Sequence, residues 1–361
     1  MAMVSDELVV VDGSFGEGGG QILRMAVSAA ALLGRPLRVV NIRARRNPPG
    51  LRPQHLVAVR GVADLTGGSI EGLRIGSTSI EFRPGPVRSG RFVVDAGTAG
   101  STTLMLQSLL PVASFAKAEV ELELRGGTNN PLAPPIEYVT EVLLPALRRM
   151  GVQAEVELVR RGFYPRGGGV VRARVRPVTR LKPIEVVEAR PVRIRVFAYS
   201  CNLPSHITER MVRTASSLLR SRGFKDVVEE TEVLQRDDPK CSPDPGTGII
   251  VIVELDNGLR MGFDALGERG VPAEKVAERA VEEAVRQLST GAPVDSHLSD
   301  QLVIWTALAD GTSRYRATEL TSHAETAAYI AEKVLGASFE IQQLGDKGVL
   351  FTCKGIGLSR R

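Results

Sequence analysis

Three stretches of the chain repeat one plan. In each, a Gly-rich or polar lead opens an apolar helix, at residues 18–33, 100–114 and 298–309. A strand with period-two alternation follows, most clearly Ala118-Glu119-Val120-Glu121-Leu122-Glu123-Leu124. A second helix then stops at a glycine before another strand, at Gly67, Gly151 and Gly336, where left-handed backbone closes the helix. Such helices bury their apolar stripe on one face of a sheet. The pattern therefore predicts an α+β fold with three repeated αβ units, each of two helices on a four-stranded sheet.

Between the second and third copies the rhythm breaks. Residues 188–291 read as strand (192–199), helix (206–222), strands (227–234, 248–255, 259–263) and a long amphipathic helix (273–288), enough for a small inserted α/β domain. Residues 1–187 and 292–361 would then form the large domain, and residues 236–248, crowded with Asp, Pro, Cys and Gly, an exposed loop. A length of 361 residues suits this two-part reading.

The formal net charge of +5 leans toward an anionic partner. Only 4% of residues are aromatic, which argues against stacking many bases along a strand and for contact through phosphate and sugar. The three widely spaced cysteines, Cys201, Cys241 and Cys353, indicate neither a disulfide framework nor a zinc cluster. No leader and no membrane-length apolar run is evident, so the expectation is a cytoplasmic protein without a membrane, as monomer or homodimer.

Gly-Lys never occurs, so there is no P-loop; K-x-D-G is absent too. The densest signal is Asp12-Gly13-Ser14-Phe15-Gly16-Glu17-Gly18-Gly19-Gly20-Gln21-Ile22-Leu23-Arg24. Glycines leading into a helix aim backbone N–H groups at one point, which suits phosphate, and Glu17 is a hard ligand for Mg²⁺. A tight turn with a solvated glutamate is the plain alternative. Arg24 lies two helical turns beyond Glu17 and could face the same anion. Residues 42–55 pack Arg43, Arg45, Arg46 and Arg52 into a proline-braced loop ending at Gln54 and His55, suited to bidentate phosphate contacts or simply solvated. Ser322-His323-Ala324-Glu325 fits a capping box, with Ser322 as cap and His323 first in the last helix. There the dipole keeps an imidazole neutral and nucleophilic beside a bound phosphate; a surface role is the ordinary alternative. His297-Leu298-Ser299-Asp300-Gln301 opens the third-copy helix, as cap or as recognition of a base or ribose.

In this combination the chain resembles the RNA 3′-terminal phosphate cyclase family over essentially its full length. The matching segments are residues 12–24 and 42–55, Gly97-Thr98-Ala99-Gly100-Ser101 with Gln107, Gly126-Gly127-Thr128-Asn129-Asn130-Pro131 with Ala133-Pro134-Pro135, Gly162-Phe163-Tyr164-Pro165-Arg166-Gly167-Gly168-Gly169, Asp300-Gln301 and Thr321-Ser322-His323. The resemblance implies conversion of an RNA 3′-phosphate end to a 2′,3′-cyclic phosphate, with ATP as substrate, Mg²⁺ or Mn²⁺ as cofactor, and AMP and diphosphate released. It implies that His323 is adenylylated. It further implies that Gln107, Pro134 and His297, Leu298, Ser299, Asp300 and Gln301 bind ATP, that Glu17 faces the metal, and that Arg24, Arg43, Arg46 and Gln54 hold phosphates of ATP or RNA. His297 departs from the expected tyrosine beside the adenine. Rival readings are a silent ribosome-assembly relative, which would lack the histidine, an enolpyruvyl transferase, which needs neither ATP nor histidine, and an end-sealing ligase.

Overall fold

The computed structural model describes residues 7–16 and 18–360. The first unit comprises β1 (Val9–Asp12), α1 (Gly20–Leu33), β2 (Leu37–Val40), α2 (Pro53–Thr66), β3 (Ser69–Glu71) and β4 (Ile80–Arg83). β1 and β2 run parallel, β4 is antiparallel to both β2 and β3, and the sheet order is β1-β2-β4-β3. The second unit repeats this with β5 (Gly90–Asp95), α3 (Thr102–Ser114), β6 (Val120–Gly126), a second helix, β7 (Gln153–Arg160) and β8 (Gly169–Arg176), in the order β5-β6-β8-β7. That second helix is α4 (Ile136–Tyr138), a π segment (Val139–Leu143) and α5 (Leu144–Arg149).

The third unit opens with β9 (Glu185–Val186), and the chain then departs through residues 187–294 before resuming it. The departing segment carries β10 (Pro191–Cys201), α6 (His206–Ser221), β11 (Val227–Leu234), β12 (Gly246–Leu255), β13 (Arg260–Leu266) and α7 (Ala273–Leu288). Its sheet order is β11-β10-β12-β13. The third unit resumes with α8 (Ser296–Leu308), β14 (Thr312–Ala317), α9 (Ser322–Ile330), a π segment (Ala331–Leu335), β15 (Ser338–Gln343) and β16 (Val349–Lys354). β9 pairs parallel with β14, giving the order β15-β16-β14-β9, which is the plan of the other two units. The excursion therefore lies inside the third copy, after its first strand, and not between copies.

Helices α1, α2 and α3 pack on one another, and α9 packs on both α1 and α8, so the repeats share a helical centre. One continuous apolar core passes through all three repeats and the excursion. The three closing glycines have positive φ, 62° at Gly67, 96° at Gly151 and 81° at Gly336, as the repeat plan requires. In the excursion, α6 and α7 pack together on its sheet, whose β13 also meets the π segment of the second unit. Covered on both sides, β12 reads as the unbroken apolar run Ile249–Val253, with no alternation. The loop expected to be exposed before β12 is so at Arg236, Asp237, Pro239 and Pro245, while Cys241, Ser242 and Asp244 turn inward and are buried. Contacts with the second unit draw it in, since Lys240 O accepts from Arg161 N, Ser242 Oγ from Phe163 N and Asp244 from Arg166.

Candidate functional site

The Gly-rich run leaves β1 at Asp12, whose carboxylate accepts the Ser14 N–H and hydroxyl at 2.9 and 2.8 Å. Those bonds hold it below the usual carboxylate range. The run then crosses to the third unit. Phe15 stacks on Tyr329 of α9 at 3.9 Å between ring centres, and a Cβ on Gly16 would lie 2.4 Å from Thr326 Oγ1. Gln21, in the first turn of α1, donates its Nε2–H to His323 O at 3.1 Å. The start of α1 is thereby bolted to the start of α9. Glu17, expected to face the metal, lies outside the described residues.

Among the described residues no side chain caps the first turn of α1. Beneath it, a Cβ on Gly20 would fall 2.4 Å from His55 Nε2 and 3.0 Å from an Arg24 terminal nitrogen, so only glycine admits this approach. His55 is buried, and its Nδ1 accepts the Arg52 N–H at 3.1 Å. A single ring proton then sits on Nε2, facing the α1 terminus. Burial, followed by the charges of Arg24, Arg43 and Arg52, pulls its pKa down to about 3. Arg24 is pulled down to about 10 by burial. Burial lowers Arg43 as well, with Arg46 and Arg52 adding repulsion. Gln54 is exposed beside His55 on α2, its Cβ 3.9 Å from where a Cβ on Gly100 would stand. A neutral N–H donor, an uncapped helix start and converging arginines form a receptor for an anion.

His323 is exposed in the first turn of α9. The cap is Thr321, not Ser322: Thr321 Oγ1 accepts the Ala324 N–H at 2.9 Å. Its hydroxyl also donates to the Asp300 carboxylate of α8, and this tertiary bond sets a register that the local S-x-x-E pattern does not see. His323 is thus the second residue of the helix. Neither Asp300 nor His297 caps α8, because Asp295 does, through the Leu298 N–H at 2.9 Å. Leu298, Ser299, Asp300 and Gln301 are buried, while His297 is exposed and presents its ring to Tyr138 at 5.9 Å in a T-shaped contact. Near it the Asp264 carboxyl is pushed up to about 6 by burial, partly offset by His297. Pro134 O accepts from Thr103 Oγ1 at 2.8 Å, one helical turn before Gln107 on α3.

Among the described residues, nine buried side-chain polar atoms lack a partner, and five belong here: Gln21 Oε1, Arg24 Nε, Arg43 Nε, Gln107 Oε1 and Ser299 Oγ. Such groups are costly unless something binds them, so their concentration marks a ligand site. Gln21 and Asp264 were not singled out in the sequence. For Gln21 the signal is its place, directly after the glycines. Among the described residues no three His, Cys, Asp or Glu side chains gather to cage a metal ion. Among the described residues, too, no helix is long and apolar enough to cross a membrane.

The family model for RNA 3′-terminal phosphate cyclase matches residues 15–341. A protein named RNA 3′-terminal phosphate cyclase from Methanopyrus kandleri is 46% identical over 93% of this chain and 95% of its own. One of that name from Pyrobaculum neutrophilum is 42% identical over 97% and 99%, and one from Caldivirga maquilingensis 44% over 94% and 96%. On its length, its motifs and these likenesses, the chain belongs to the RNA 3′-terminal phosphate cyclase family.

Proposed function

We propose that this chain uses ATP to convert an RNA 3′-terminal phosphate to a 2′,3′-cyclic phosphate, through AMP carried covalently on His323. The carrying observation is the Gln21–His323 bond, which sets the anion receptor of α1 beside the histidine of α9. His323 attacks the α-phosphorus of ATP; a P–N bond forms and diphosphate leaves. The RNA 3′-phosphate then takes the AMP, giving a phosphoanhydride and freeing His323. The neighbouring 2′-hydroxyl attacks the activated phosphorus, loses its proton and expels AMP. Each step gathers charge on phosphoryl oxygens, which Arg24, Arg43, Arg46, Gln54 and the His55 Nε2–H would hold. Gln107, Pro134 and the run from His297 to Gln301 would hold the nucleoside and triphosphate.

Mg²⁺ or Mn²⁺ would travel with the triphosphate and neutralise part of its charge, with Glu17 the carboxylate proposed to face it. The second reading is a silent RNA-binding relative of the same fold; the intact Thr321-Ser322-His323 turn speaks against it. The test is incubation with Mg²⁺ and ATP labelled on the α-phosphate, beside His323→Ala. Acid-labile, alkali-stable label on the wild type and none on the variant is expected. Unlabelled wild type that still binds ATP would overturn the nucleophile and favour the silent reading.

A further inference from the structure

On the second unit lies a cleft of about 550 Å³ between the open face of its sheet and the loop joining β7 to β8. Its walls hold four arginines, Arg125, Arg160, Arg166 and Arg172, against two carboxylates, Asp95 and Glu123. Glu123 serves Arg125 at 2.7 Å, and also Arg91 and Arg172. Arg166 is held by Asp244 at 2.7 Å, and Arg160 donates to Gly168 O at 2.6 Å, pinning the loop. Arg166 and Arg172 keep more than half of their side chains in solvent, and Arg125 nearly half. These guanidiniums are therefore oriented yet open to a further anion.

One end of the cleft is formed by Gly97 and Thr98. Two residues on, Gly100 abuts Gln54 of the candidate phosphate site. The Gly162–Gly169 loop closes the other wall, with Gly167 backed against Ala99. That loop also carries Tyr164, 73% exposed in a chain poor in aromatics and, among the described residues, the most exposed aromatic ring. An arginine-lined cleft that ends two residues from the Gly100–Gln54 approach, walled by a loop that carries an exposed ring, has the makings of a single-strand track: phosphates on guanidiniums, a base on an aromatic face.

We infer that this cleft binds the RNA strand upstream of its 3′ end, Arg125, Arg160 and Arg172 contacting the preceding phosphodiesters and Tyr164 stacking a base. This rests on the proposed function and adds to it a preference for oligonucleotides over a terminal nucleotide alone. Base-edge readers are not prominent there, so recognition is by backbone and length and not by sequence.

The test compares binding of a nucleoside 3′-phosphate and of 3′-phosphorylated RNA oligonucleotides two to six residues long, by competition and anisotropy, with wild type, Arg172→Gln, Tyr164→Ala and Tyr164→Phe. The His323–AMP label formed from ATP alone is measured in parallel. Affinity should rise with length in the wild type, and Tyr164→Ala should weaken the oligonucleotides about tenfold, with the mononucleotide unchanged and Tyr164→Phe restoring binding. Arg172→Gln should flatten the salt dependence by about 0.7 in log–log slope. Normal labelling with length-independent binding, or oligonucleotide binding indifferent to all three substitutions, overturns the track and leaves the proposed chemistry standing. Loss of the label in the wild type instead strikes at the chemistry itself. Both Tyr164 variants alter an exposed ring, and retained labelling certifies their fold.

Discussion

Acidification should reveal His55 as a buried neutral base. Its pKa of about 3, against an ordinary 6.5, means that between these values the unfolded chain binds a proton that the folded chain refuses. Stability therefore rises with pH across that window and is lost on going down through it. The loss begins near pH 6.5 and grows by about 1.4 kcal/mol per pH unit, so moving from pH 7 to pH 5 costs about 2 kcal/mol through this group alone. Other groups titrate too, which makes a paired variant necessary. In His55→Asn the amide oxygen stands near Nδ1 and keeps the Arg52 N–H acceptor, while the titrating ring is gone. Urea midpoints at pH 7 and pH 5 should show the wild type losing about 2 kcal/mol more than this variant. The chain holds four histidines, so ε1-¹³C-histidine NMR offers few signals, and the His55 line should stay unshifted to pH 5. Inorganic diphosphate should move that pKa upward, because an anion offsets the repulsion from Arg24, Arg43 and Arg52. Parallel midpoints, or a His55 signal titrating near 6.5, would refute both the burial argument and the receptor built on it.

Gly20→Ala sets a methyl 2.4 Å from His55 Nε2 and should cost about 1–3 kcal/mol while lowering cyclase kcat/KM about 100-fold, read by urea denaturation and steady-state turnover. Thr321→Ala should destabilise by about 1 kcal/mol and Thr321→Ser by little, since serine keeps both the Ala324 and the Asp300 bond. Arg161, 1% exposed, bridges Glu137 and Glu232, each at 2.6 Å, so Arg161→Met should cost about 3–5 kcal/mol in denaturant unfolding. Burial pushes the Cys201 and Cys353 thiols up to about 12, so both should resist iodoacetamide at neutral pH until the chain is unfolded, as peptide mass mapping would read.

What the sequence discloses is what local periodicity controls. The helices α6 and α7, the strand β11 and the three closing glycines follow from neighbours a few residues apart, and they stand within a residue of the reading. β9 could not be read so. It is two residues long, and its strand character comes from Arg314 and Tyr315, more than a hundred positions later; without it the excursion looks like a spacer between copies. The cap of α9 failed for the same reason. The Ser322…Glu325 spacing is locally sound, but the Asp300 carboxylate from another helix selects Thr321. Of the candidate site, residue types were legible and juxtapositions were not: nothing near His55 in the chain announces that Gly20 will lie over its ring.

The excursion inside the third unit also bears on the site. Asp295 stands where the chain returns, fully buried, with a carboxyl raised by desolvation. It accepts from Tyr138 OH of the second unit at 2.6 Å, from Gly262 N of the excursion at 3.1 Å, and from Leu298 N at 2.9 Å. A buried carboxylate with three donors is tolerated only if all three are present together. The start of α8, with His297, Leu298, Ser299, Asp300 and Gln301, is therefore held in place jointly by the second unit, the third and the excursion. Asp300 then passes that position to Thr321, and so to His323. Inserting a hundred residues ahead of α8 does not burden the site with a remote appendage; it supplies Gly262 to the junction from which the helix of His323 takes its register. Breaking the Gly262 contact should accordingly loosen nucleotide binding before it unfolds the excursion.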